Sequence, residues 1–69
     1  MMTIGYFIES LEQAHAGKFR LLMNGKEVPE EYYNRLIFKR SEYVNEDQMN
    51  VWIAYRDKQI FEELKKQGF

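Results

Sequence analysis

Sixty-nine residues with ten Lys or Arg, eleven Asp or Glu and a net charge of −1 make one small domain without a basic surplus, which argues against a protein held to its partner mainly by phosphate contacts. A chain of this length buries only about 60% of its unfolded surface, so its core is marginal unless something braces it. The absence of cysteine removes disulfides and thiolate metal sites as braces. A hydrophobic content of 45%, with 16% aromatic residues, still lies outside the disordered range. So many rings in so small a core imply that some sit at the surface or against a second subunit.

The first predicted element is a helix from Thr3, a suitable cap, to about Ala16. Ile4, Phe7, Ile8 and Leu11 fall at i, i+3, i+4 and i+7, one apolar stripe. Gly17 is placed to end it in the left-handed conformation, and Gly5 weakens its first turn slightly. Phe19–Met23 reads as a strand with Phe19, Leu21 and Met23 on one face. Asn24-Gly25 then signals a type I′ hairpin turn. The return arm, Lys26-Glu27-Val28, is cut short by Pro29, which has no N–H to give a ladder.

Pro29-Glu30-Glu31 resembles a helix start, with acids near the positive end of the dipole. A short helical turn over residues 30–34 is expected, then a strand over about 35–43. The polar turn Asn45-Glu46-Asp47-Gln48 leads into the most strand-like run of the chain, Met49–Arg56. Side chains alternate along a strand, so Met49, Val51, Ile53 and Tyr55 share the better core face. Asn50, Trp52, Ala54 and Arg56 take the other, which leaves Trp52 either a second-face core residue or a partly exposed ring. Asp57 is a good cap for a last helix striped by Ile60, Phe61 and Leu64, with Lys65 and Lys66 at its negative end and Gly68 closing it. The predicted fold class is α+β: an N-terminal helix, a three- to four-stranded antiparallel sheet and a C-terminal helix, with both helices on one sheet face.

Residues suited to catalysis are sparse. The one histidine, His15, lies near the end of the first helix, and the two serines, Ser10 and Ser41, stand in no Gly-x-Ser-x-Gly turn. Glu42, Glu46 and Asp47 lack calcium-loop spacing. Glu30-Glu31 and Glu62-Glu63 are adjacent pairs whose side chains diverge on a helix, a poor basis for an acid–base pair. The glycines are scattered singly, so no phosphate-cradling loop is present. The expectation is no enzyme, no metal and no cofactor.

No apolar run approaches the ~18 residues of a membrane span. The opening Met1-Met2-Thr3-Ile4-Gly5 lacks a basic segment followed by an apolar one, so a secretory signal is not expected and a cytoplasmic location fits.

Two binding readings remain. Tyr, Trp and Arg are the usual anchors of protein interfaces. On that basis Trp52, Arg56, Arg20, Arg35, Tyr32, Tyr33 and Tyr43 are candidate partner-binding residues of a non-catalytic protein-interaction module. Such a module is an adaptor, regulator or inhibitor acting as a homodimer. The alternative is a small nucleic-acid-binding domain using the same basic and aromatic face. The element order is similar to that of double-stranded RNA-binding domains. The similarity is architectural alone, because those domains carry a basic cluster at the start of their last helix, where this chain has Asp57-Lys58-Gln59-Ile60-Phe61-Glu62-Glu63.

Overall fold

A computed structural model describes residues 1–69. The chain runs α1 (Ile4–His15), β1 (Leu22–Met23), β2 (Lys26–Glu27), a 3₁₀ helix (Glu30–Arg35), β3 (Leu36–Asn45), β4 (Gln48–Tyr55) and α2 (Lys58–Lys66). Thr3 caps α1 by accepting the Tyr6 N–H at 3.1 Å. Asp57 caps α2 by accepting the Ile60 N–H at 2.9 Å. Each supplies an acceptor to an N–H that the helix cannot satisfy itself.

Two features of the first half depart from expectation. The left-handed residue that ends α1 is Ala16, at φ 51°, and not Gly17. The next turn is held from within, since the Glu12 carboxylate accepts the Phe19 N–H at 3.0 Å. The strand expected over Phe19–Met23 shrinks to Leu22–Met23, paired with Lys26 and Glu27, with one more bond from the Val28 N–H to the Leu21 carbonyl at 2.9 Å before Pro29. The turn itself is as expected: Asn24 and Gly25 both have positive φ, 54° and 76°, as a type I′ turn requires.

The four strands form two separate two-stranded antiparallel sheets, β1–β2 and β3–β4, instead of the single three- to four-stranded sheet expected. The first hairpin forms no ladder with the second. A short 3₁₀ helix stands between them, started by Pro29 and filled by Tyr32 and Tyr33. Both helices therefore flank the base of a two-stranded ribbon and do not lie across a broad sheet face. Phe7 of α1 stacks on Phe38 of β3, with ring centroids 4.2 Å apart. Phe61 of α2 meets Tyr55 of β4 edge-on at 5.0 Å.

The core gathers Ile4 and Ile8 from α1, Leu21 and Val28 from the first hairpin region, Tyr32, Tyr33 and Leu36, and Ile60 and Leu64 from α2. The N-terminus adds a bridge between Thr3 and Ile37, and the Phe38 N–H donates to the Met2 carbonyl at 2.8 Å. No helix is long and apolar enough to cross a membrane.

Candidate interaction surface

β3 and β4 begin inside the core and end outside it. At the base Leu36 pairs with Tyr55 and Phe38 with Ile53. Past Phe38, β3 carries an extra residue, Lys39, so Arg40 and not Lys39 stands opposite Trp52. Such a bulge shifts every later side chain of its strand to the opposite face. A second extra residue, Val44, lies between the pairs Tyr43–Met49 and Asn45–Gln48. From Lys39 to the turn and back to Asn50 only Met49 is even half-buried. The ribbon here is an arm that projects beyond the core.

The arm has two faces. Arg40 and Trp52 share one, the guanidinium lying 3.9 Å from the centre of the indole ring, a cation–π contact across the ladder. Trp52 remains 41% exposed, so the partly exposed reading of this residue is the one realised. The other face carries Tyr43, Met49 and Val51. It looks across a groove of about 1000 Å³ toward Phe7, Leu11 and Phe19 on α1 and the segment after it. Tyr43, on the rim of this groove, is 71% exposed.

The candidate residues do not come together as one patch. Tyr32 and Tyr33 are buried, and their hydroxyls are engaged. The Tyr33 hydroxyl accepts the Leu21 N–H at 3.1 Å, and the Tyr32 hydroxyl accepts from the Gln67 side-chain amide. Arg35 joins the 3₁₀ helix to α2 through Glu63 at 2.9 Å and Asp57 at 3.7 Å. Its pKa is raised, chiefly by the Glu63 hydrogen bond, so the guanidinium is charged at any working pH. Arg20 pairs with Glu27 at 2.5 Å across the first hairpin, and that bond is the main cause of its raised pKa. Arg56 donates to the Asn34 carbonyl at 3.3 Å while staying exposed. Of the seven candidates, Trp52 and Tyr43 therefore share the arm, on opposite faces. Arg20, Arg35 and Arg56 each have an internal partner.

Sequence reasoning missed Arg40, the direct neighbour of Trp52. In unbroken alternation Arg40 takes the face of Leu36 and Phe38, opposite to that of Trp52, and no Gly or Pro advertises the bulge that reverses this. The groove was missed too, although Phe19, Leu22, Met49 and Val51 are apolar beyond the needs of two short strands. His15 sits at the exposed end of α1, its ring 6.0 Å from that of Phe19. No three His, Asp or Glu side chains come together as a metal site requires. A smaller hollow of about 340 Å³ is lined by Gly5, Tyr6, Glu9, Glu30, Tyr33 and Asn34. Gly5 lets α1 approach it closely, since a Cβ at that position would lie 2.2 Å from the Asn34 side-chain oxygen. Comparison with protein-family models finds no match, and comparisons with curated proteins and with solved structures find none either.

Proposed function

We propose that this chain is a non-catalytic protein-interaction module, an adaptor, regulator or inhibitor of another cytoplasmic protein, that acts as a homodimer. The observation that carries the reading is the β3–β4 arm, which leaves Tyr43, Val44 and Trp52 exposed outside the core. Aromatic side chains with few rotatable bonds, flanked by a charge, are the usual energetic centres of protein interfaces. Here Trp52 is held in place by Arg40, so little ordering remains to be done on binding. Binding to nucleic acid is the weaker reading, because Arg20 and Arg35 are committed to Glu27 and Glu63.

The test is affinity capture from host lysate with the parent chain and with Trp52→Ala, each with and without nuclease. A protein partner retained by the parent after nuclease treatment, resistant to added salt and lost with Trp52→Ala, supports the reading. Capture that disappears with nuclease and falls steeply with salt would transfer the assignment to nucleic acid.

A further inference from the structure

We infer that the outer edge of β4 is the self-association surface: two copies pair their Gln48–Tyr55 strands antiparallel about a two-fold axis, giving one four-stranded sheet ordered β3–β4–β4–β3. The inference rests on the homodimer reading above and gives it a location.

The two edges of the ribbon are treated differently. Along its ladder β4 bonds to β3 alone, so its outward N–H and C=O groups have no partner within the chain. An exposed edge of this kind is a template for another strand, and folded proteins ordinarily blunt it with charge, proline, bulges or a covering segment. β3 has such protection: Lys39, Arg40 and Glu42, both extra residues, and the bridge from Thr3 to Ile37. β4 reads Gln-Met-Asn-Val-Trp-Ile-Ala-Tyr, with no Asp, Glu, Lys, Arg, His, Gly or Pro and no bulge of its own. That is the composition of a segment that pairs readily when its edge is free.

The charge pattern selects a second copy as the occupant. A two-fold antiparallel pairing sets residues near the axis against themselves or near neighbours, so a charged strand would oppose its own charges. Self-pairing through β3 would crowd Lys39 and Arg40 against their equivalents, whereas β4 brings no charge to the seam. An axis at any residue keeps the faces in phase, and the two axes at the middle of β4 give the longest overlap. An axis at Val51 sets Val51 against itself, Met49 against Ile53 and Asn50 against Trp52. An axis at Trp52 sets Trp52 against itself and Val51 against Ile53. In both, Met49, Val51 and Ile53 stay on the helix side and Trp52 on the other. An isolated two-stranded ribbon is marginal, and four strands with one apolar face are not.

The chain has no cysteine, so single cysteines report pairing without background. Solution mass is measured for the parent, and disulfide formation is followed in Val51→Cys, Trp52→Cys and the β3 control Lys39→Cys. Expected are a dimeric parent, rapid cross-linking at position 51 or 52, and none at 39. Asn50→Lys combined with Trp52→Lys, both at exposed positions, sets lysines directly opposite each other in either register. It should weaken dimerisation about tenfold or more while far-UV circular dichroism stays unchanged. A dimeric parent that cross-links at 39, or at none of the three, overturns the β4 edge and leaves the homodimer reading standing. A parent that is monomeric at ~100 μM, a concentration at which even weak specific dimers assemble, overturns both.

Discussion

The base and the arm of the β3–β4 ribbon are built from the same two strands, yet they are held by different physics. At the base Leu36 is fully buried among side chains from α1, the 3₁₀ helix and α2. Arg35 and Asp57 pin the adjoining elements there. Along the arm the backbone ladder continues, but packing thins to the Arg40–Trp52 stack on one face and the half-buried Met49 and Val51 on the other. A strand pair is thus fixed by what lies on its faces more than by its hydrogen bonds, which water replaces at small net cost. Trp52, the one tryptophan, reports on the arm, while far-UV circular dichroism reports mainly on the helices at the base. A fluorescence transition that precedes the dichroism transition would sharpen the distinction, and coincident transitions would erase it.

Substitutions extend the comparison. Leu36→Ala empties the best-packed point of the base and should cost about 3 kcal/mol in urea unfolding; a loss under about 1 kcal/mol would mean that the base packs no better than the arm. Tyr33→Phe removes the acceptor of the buried Leu21 N–H. A cost of about 1–2 kcal/mol is expected, with faster exchange of the Leu21 amide proton as its local signature. Asp57→Ala uncaps α2 and should lower stability by about 1 kcal/mol, read from the thermal midpoint. Ala16→Gly has the opposite sign. The left-handed Ala16 carries a penalty that Gly avoids, partly offset by the greater freedom of Gly when unfolded, so a gain of about 0.5–1 kcal/mol is expected in the same melt. Tyr43→Ala, on the arm, should change folding stability by less than about 0.5 kcal/mol, and a larger loss would show that the arm packs against more than itself.

Both helices, the Asn24-Gly25 turn, the short helix after Pro29 and the alternation along Met49–Arg56 were legible in the sequence, because each rests on local signals: caps, periodicity and left-handed turn residues. The joining of the strands was not legible. One sheet and two sheets need the same hydrophobic pattern, and the choice depends on Tyr32 and Tyr33 filling the space between the hairpins. The site was partly legible. Trp52 could be named but not placed, since its neighbour Arg40 is set by a bulge that leaves no mark in composition. Tyr32, Tyr33 and Arg35 carry the residue types of an interface, while their contacts are internal. Residue type alone does not separate a ring that completes a small core from one that waits for a partner.

The extra residue Lys39 sets the direction of the arm and not the make-up of its faces. Without it Arg40 would follow Phe38 directly in plain alternation and still stand opposite Trp52, and Tyr43 would stay opposite Met49 on the groove rim. The pairs Leu36–Tyr55 and Phe38–Ile53 lie before it and would keep their register. A single-codon deletion there would therefore straighten the ribbon and lower its local twist, re-aiming the whole arm relative to the base while every cross-strand pair stays the same.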